Sequence, residues 1–156
     1  MLDLDWGQIL DHASHLAVAY VLALPSALDR EAASRSAGLR TYPLVAIGAC
    51  AFLLVGESFL VDPTANARLM QGLIGGLGFL GGGAILKSQG NVIGMATAAS
   101  IWNTGAVGMA VAYNRYEIAI VLAVLNFATL RLGRKFKKDL DLAGDGEADD
   151  GPRRDA

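Results

Sequence analysis

The chain alternates between long apolar runs and short polar connections, and five runs have the length of a membrane-crossing helix. They cover about 9–28, 43–61, 69–86, 96–113 and 117–132. The third is the most informative. From Leu69 to Leu86 the string LMQGLIGGLGFLGGGAIL carries no charge in eighteen residues, and seven of them are glycine. At ~1.5 Å per residue it nearly matches the roughly 30 Å of bilayer hydrocarbon. In water each glycine would weaken such a helix by about 1 kcal/mol. In lipid, unpaired backbone groups have no water to turn to, so the helix is enforced, and glycine lets a second helix come close. The pattern predicts an all-α membrane protein of about five transmembrane helices, with a third helix built to be packed against. The fifth run is short, but Arg131 and Arg134 can reach the interface from it.

The connections carry turn chemistry. Asp62-Pro63 marks the turn between the second and third runs, with Thr64 or Asn66 expected to cap the helix that follows. KSQGNVIG joins the third and fourth runs. After Lys138 the segment 139–156 turns acidic, contains glycine and lacks aromatics, so it is expected to be a cytoplasmic tail without folded structure.

Composition agrees with a lipid environment: 53% of the 156 residues are hydrophobic, 18% are charged, and mean hydropathy is +0.41. A net charge of -2 gives no reason to expect nucleic acid. The acidic start, MLDLDWGQILD, does not read as a secretory signal. The cations set an orientation. If the N-terminus lies outside and the runs alternate, eleven lysines and arginines fall inside: Arg30, Arg35, Arg40, Lys87, Arg131, Arg134, Lys135, Lys137, Lys138, Arg153 and Arg154. Only Arg68 and Arg115 face outside. That bias predicts an outside N-terminus and a cytoplasmic C-terminus.

Candidate chemistry is sparse. Gly76-x-Gly78-x-x-Gly81 matches the dinucleotide fingerprint in letters alone, because no strand precedes it and no acidic residue follows at the needed distance. The string around Gly82, Gly83 and Lys87 lacks the glycine that a phosphate-binding loop needs before its lysine. Cys50 sits in an apolar run and reads as a buried, inert thiol. His12 and His15, one turn apart beside Asp11, lack a third strong ligand and read as surface or interface groups. No metal site, cofactor or enzymatic constellation is expected. On the third helix Arg68, Gln71, Gly75, Gly78 and Gly82 form one stripe, with Gly72 and Gly76 beside it. Thr97, Ser100 or Ile101, Thr104 and Gly108 form another on the fourth, with Asn103 close by. Small residues facing small hydroxyls predict that helices three and four make a tight hairpin core. Charges at membrane depth are costly, so Asp29, Arg30, Glu57 and Arg68 are candidate functional groups, with Glu57 and Arg68 placed to pair.

Four strings in order then carry a resemblance. They are Leu28-Asp29-Arg30-Glu31; Gly38-Leu39-Arg40-Thr41 with Leu44-Val45 and Gly48-Ala49; Arg68-x-x-Gln71 leading into Gly78-Phe79-Leu80-Gly81-Gly82-Gly83-Ala84-Ile85-Leu86; and Gly94-Met95-Ala96-Thr97-Ala98-Ala99-Ser100-Ile101-Trp102. Over about 15–135 the chain resembles the MgtC/SapB family. The family's Glu-Arg pair is carried here by Asp29-Arg30.

The resemblance implies a bacterial inner-membrane, multi-pass protein. It also implies links to growth in scarce magnesium, to survival of pathogens in phagocytes, and to restraint of the F-type ATP synthase. It concerns the membrane part alone and not the ACT-like domain that some members carry. The family-motif and candidate functional residues together are Asp29, Arg30, Arg40, Thr41, Glu57, Arg68, Gln71, Thr97, Trp102 and Asn103. Gly72, Gly75, Gly76, Gly78, Gly81, Gly82, Gly83, Gly94 and Gly108 are assigned to helix packing. Two functions are weighed. One is a non-enzymatic regulatory protein whose glycine-lined helices dock against another integral membrane protein or a copy of itself. The other is a small transporter or Mg²⁺-handling protein with Asp29, Glu57, Gln71 and Asn103 along its path.

Overall fold

The computed structural model describes residues 5–33, 37–60, 62–88 and 91–147. Five helices follow one another: α1 (Trp6–Ala33), α2 (Thr41–Glu57), α3 (Pro63–Gly83), α4 (Met95–Ala112) and α5 (Tyr116–Glu147). Between α3 and α4 lies a hairpin of β1 (Leu86–Ser88) and β2 (Asn91–Ile93), which pairs Leu86 with Ile93 and Lys87 with Val92.

α4 is the central helix and touches all four others, most extensively α2. α1 and α5 run parallel, side by side. His15 meets Asn114, Ser26 meets Asn126, and Asp29 meets Arg134, in that order along both. The two helices therefore start at one end of the bundle and finish at the other. α2 and α3 pack weakly against each other.

Residue size is distributed in the reverse of a water-soluble bundle. Ala19, Ala23, Ala27, Ala46, Ala49, Cys50, Ala112 and Ala119 fill the core with few large partners, chiefly Tyr42, Leu53, Val107 and Val111. The large side chains point outward: Phe79 is 84% exposed, and Leu10, Leu44, Phe52, Phe59, Val121, Val124, Leu125 and Phe136 are more than half exposed. Soluble proteins rarely expose so many large apolar side chains. A membrane helix gains nothing by hiding leucine from lipid, and gains contact by turning small residues inward. Among the described helices one stretch, Tyr116–Phe136 with mean hydropathy 1.5, is long and apolar enough to cross a bilayer by length and composition; Thr41–Glu57 is apolar but shorter.

The predicted runs correspond to the five helices with shifted ends. The third run, expected to reach Leu86, ends at Gly83, where three glycines in succession favour termination and Ala84 and Ile85 close the turn onto Gly81 and Gly82. Leu86 belongs to β1, a strand the apolar pattern did not predict. Neither Thr64 nor Asn66 caps α3. Asp62 does, its Oδ1 accepting from the Thr64 amide at 3.0 Å with Pro63 in the first turn, while Asn66 Nδ2 donates to the Leu60 carbonyl. α5 continues to Glu147, so 139–147 is helical where an unfolded tail was expected. The lysines, leucines and alanine after Arg134 are good helix formers, and no proline interrupts them. The remaining tail residues, 148–156, lie outside the described residues.

Candidate functional site

Three sets of residues could carry function: a buried polar group where the end of α1 meets the middle of α5, a cluster near the α4–α5 turn, and the outer faces of α3. At the first, Asp29 has a side chain only 1% exposed and takes the Arg134 guanidinium of α5 as its ion-pair and hydrogen-bond partner. One turn up α1, Ser26 Oγ accepts from Asn126 Nδ2 at 3.2 Å. Tyr42 is fully buried beside Ser100 and Arg30. Among the described residues, Asp29 Oδ2, Arg30 Nε, Tyr42 Oη and Ser100 Oγ are buried without a hydrogen-bond partner. On α4, Thr97, Ser100 and Thr104 are all buried, and Thr104 Oγ1 donates back to the Ser100 carbonyl at 2.8 Å. The predicted α4 stripe thus does face inward.

Where α1 begins, His15 is buried rather than at the surface. Its Nδ1 lies 2.9 Å from the Asp11 carbonyl and its Nε2 3.0 Å from Asn114 Oδ1 in the α4–α5 turn. Asn114 holds that turn in the left-handed region at φ 56°, which asparagine tolerates. Both ring nitrogens are engaged, so His15 has no lone pair free for a metal. His12 is exposed.

The expected tight α3–α4 hairpin forms at only one α3 glycine. Gly81 lies against the Ala98 backbone of α4, where a Cβ would sit 3.1 Å from the carbonyl oxygen. A Cβ at Gly72, Gly75, Gly76, Gly78, Gly82 or Gly83 would meet nothing within 4 Å. The tightest approach of one helix to the backbone of another involves Gly108, seated on the Ala46 backbone of α2. Gly105, which the pattern did not single out, takes the Leu77 side chain instead. Gly94 is required for another reason: it precedes α4 at φ 92°, with its hydrogen aimed at the Ala84 carbonyl. The α3 glycines therefore present an open face.

Two faces of α3 can be distinguished at about 100° per residue, with Arg68 at their border. One carries Arg68, Gln71, Gly75, Gly78 and Gly82, all exposed. The other, with Leu69, Gly72, Leu73, Gly76 and Leu80, forms a groove of about 830 Å³ against Arg40, Thr41, Leu44, Val45, Gly48 and Phe52 of α2.

The residues proposed for a path do not converge. Asp29 is paired with Arg134, and Asn103 Nδ2 donates to the Leu122 carbonyl at 3.3 Å. Glu57 and Gln71 are exposed, and among the described residues Glu57 forms no ion pair with Arg68. Trp102 of α4 is 47% exposed. Cys50 is fully buried. Sequence reasoning missed Ser26, Asn114 and Asn126, single polar residues whose partners lie some hundred positions away, and Tyr42, buried in an apolar helix.

Comparison with known proteins adds the lineage. The model of the MgtC family matches residues 16–139. The chain is 35% identical over 136 residues to "Protein MgtC" of Brucella abortus (strain 2308), covering 87% of this chain and 57% of that protein. It is 31% identical over 140 residues to "Protein SrpB" of Synechococcus elongatus, covering 81% and 77%. It is 31% identical over 112 residues to "Putative magnesium transporter YhiD" of Escherichia coli (strain K12), covering 67% and 52%, so the chain matches about half the length of that relative. No solved structure matches. With four ordered motifs, a helical bundle turned small side inward, and a family model covering most of its length, this chain belongs to the MgtC family, a family of membrane proteins.

Proposed function

We propose that the protein is a non-enzymatic regulator of the bacterial inner membrane, crossing it five times with its N-terminus outside and C-terminus inside. It acts by docking α3 against another integral membrane protein. The observation that carries this reading is the exposed Gly75, Gly78 and Gly82 face, where a Cβ would meet nothing within 4 Å although α4 is packed against all four other helices. Glycines that no helix of the chain covers lower the cost of close approach by a helix from elsewhere. By family resemblance the partner belongs to the machinery that adjusts growth to scarce magnesium, with the F-type ATP synthase as the first candidate.

A photo-crosslinker placed at Phe79 tests this in cells grown at low magnesium. Crosslinking to a specific membrane protein is expected, and Gly78→Leu and Gly82→Leu should abolish it while leaving protein level and helix content unchanged. Persistence of the crosslink in both variants would refute docking through this face.

A second reading, Mg²⁺ handling, rests on the printed name of the Escherichia coli relative. It has less support in the arrangement of groups, since Mg²⁺ holds its waters tightly and wants carboxylates, and the only buried carboxylate among the described residues, Asp29, is already engaged by Arg134. Mg²⁺ flux into vesicles containing the purified protein would establish it.

A further inference from the structure

We infer that the groove between α2 and α3 is a binding site for an anionic phospholipid, with the phosphate on Arg40 and Thr41 and the acyl chains lying along α2 toward Phe52. The inference rests on the membrane reading above and concerns the α3 face that lines α2 rather than the proposed docking face.

The groove has the right chemistry along its length. Its walls are Leu44, Val45, Phe52, Leu69, Leu73 and Leu80, and its floor is opened by glycines, since a Cβ at Gly48, Gly72 or Gly76 would meet nothing within 4 Å. Polar groups occur only at the ends, Arg40 and Thr41 at one and Arg68 at the other, and no acidic residue lines it. Among the described residues neither arginine makes an ion pair. An occupant must therefore be apolar along its body and negatively charged at its head.

Charge and symmetry argue against a second copy of the chain. A second copy seated by the same face about an axis normal to the membrane would bring Arg40 against Arg40 and Arg68 against Arg68, which like charges oppose.

The head is assigned to Arg40 because a second polar group, Thr41, lines the groove beside it, whereas Arg68 is flanked by Leu69. The leading amides of α2 are not donors to the phosphate, for Thr41 N and Tyr42 N already bond the Gly38 carbonyl. The guanidinium supplies the forked contact that a phosphate accepts. In the proposed orientation this end faces the cytoplasmic leaflet, where anionic lipids concentrate.

The test uses the full chain in mild detergent, offered phosphatidylglycerol and phosphatidylcholine with matched acyl chains and read by native mass spectrometry. The wild-type protein should retain phosphatidylglycerol in preference. Arg40→Gln should lower that preference about tenfold, the worth of one hydrogen bond to a charged group. Arg115→Gln, which removes an equal charge from the opposite end of the bundle, should leave it unchanged. Gly72→Leu should lower retention of both lipids by filling the groove. Circular dichroism checks that each variant keeps its helix content. Equal retention of the two lipids by the wild type, or an unaltered preference in Arg40→Gln, would overturn the assignment. So would a dimer that Gly72→Leu dissociates, which would give the groove to a second copy. A protein that dissolves as a monomer without detergent would instead defeat the membrane reading itself.

Discussion

At the scale of single residues, the fold places polar side chains in an apolar interior, some paired and some without a partner. Asp29 is the clearest case, because its carboxylate is buried while Arg134 remains 41% exposed. Removing the guanidinium leaves a buried charge uncompensated, whereas amidating the acid removes that charge. Arg134→Gln should therefore destabilise the protein by about 2 kcal/mol and Asp29→Asn by less. Unfolding in detergent would measure both, and equal losses would mean the carboxylate does not need its partner. Glycines divide in the same way. Gly108→Ala should cost about 1–3 kcal/mol because its new methyl group would strike the Ala46 backbone. Gly75→Ala, in open space, should leave the melting temperature unchanged. Both residues were assigned to packing from sequence, and only their surroundings distinguish them.

At the scale of elements, the apolar runs located the helices and the structure moved their ends. The corrections trace to local chemistry that hydropathy does not weigh. Asp62 precedes Pro63 and takes the cap position that Thr64 and Asn66 were expected to fill, so Asp62→Ala should cost about 1 kcal/mol in thermal stability. An undiminished melting temperature would show that the α3 terminus is stabilised by other means. The β1–β2 hairpin was hidden because Leu86 read as the end of the third run and Val92 and Ile93 as part of the KSQGNVIG connection, while Gly94 at φ 92° turns the chain back before α4. α5 outran its apolar run because helix formation after Arg134 does not require a buried face.

At the scale of the whole molecule, five helices with α1 and α5 parallel place the first and last helices' beginnings at one end of the bundle. Under the proposed topology the α4–α5 turn faces outside and the residues before α2 face the cytoplasm. Cys50 is fully buried, which keeps background labelling low. A membrane-impermeant thiol reagent should therefore label Arg115→Cys in intact cells and Leu39→Cys only after the membrane is opened. The reverse pattern would invert the orientation drawn from eleven cations against two. α4 at the centre leaves α3 attached mainly through Gly81 and Gly105, which is why its remaining glycines face outward.

The environment and the approximate helices were legible in the one-dimensional pattern, because apolar run length and the placing of charge depend only on neighbours in sequence. The family was legible too, from four motifs in order. What only the tertiary structure decided is which helix each small or polar residue meets. Asp29 and Arg134 are 105 positions apart, and Ser26 and Asn126 are 100 apart; such pairs leave no local periodic trace. For the same reason the glycine-rich helix announced that something would pack closely against it. That its own neighbours leave most of that surface free emerged only once α2 had taken the place beside α4.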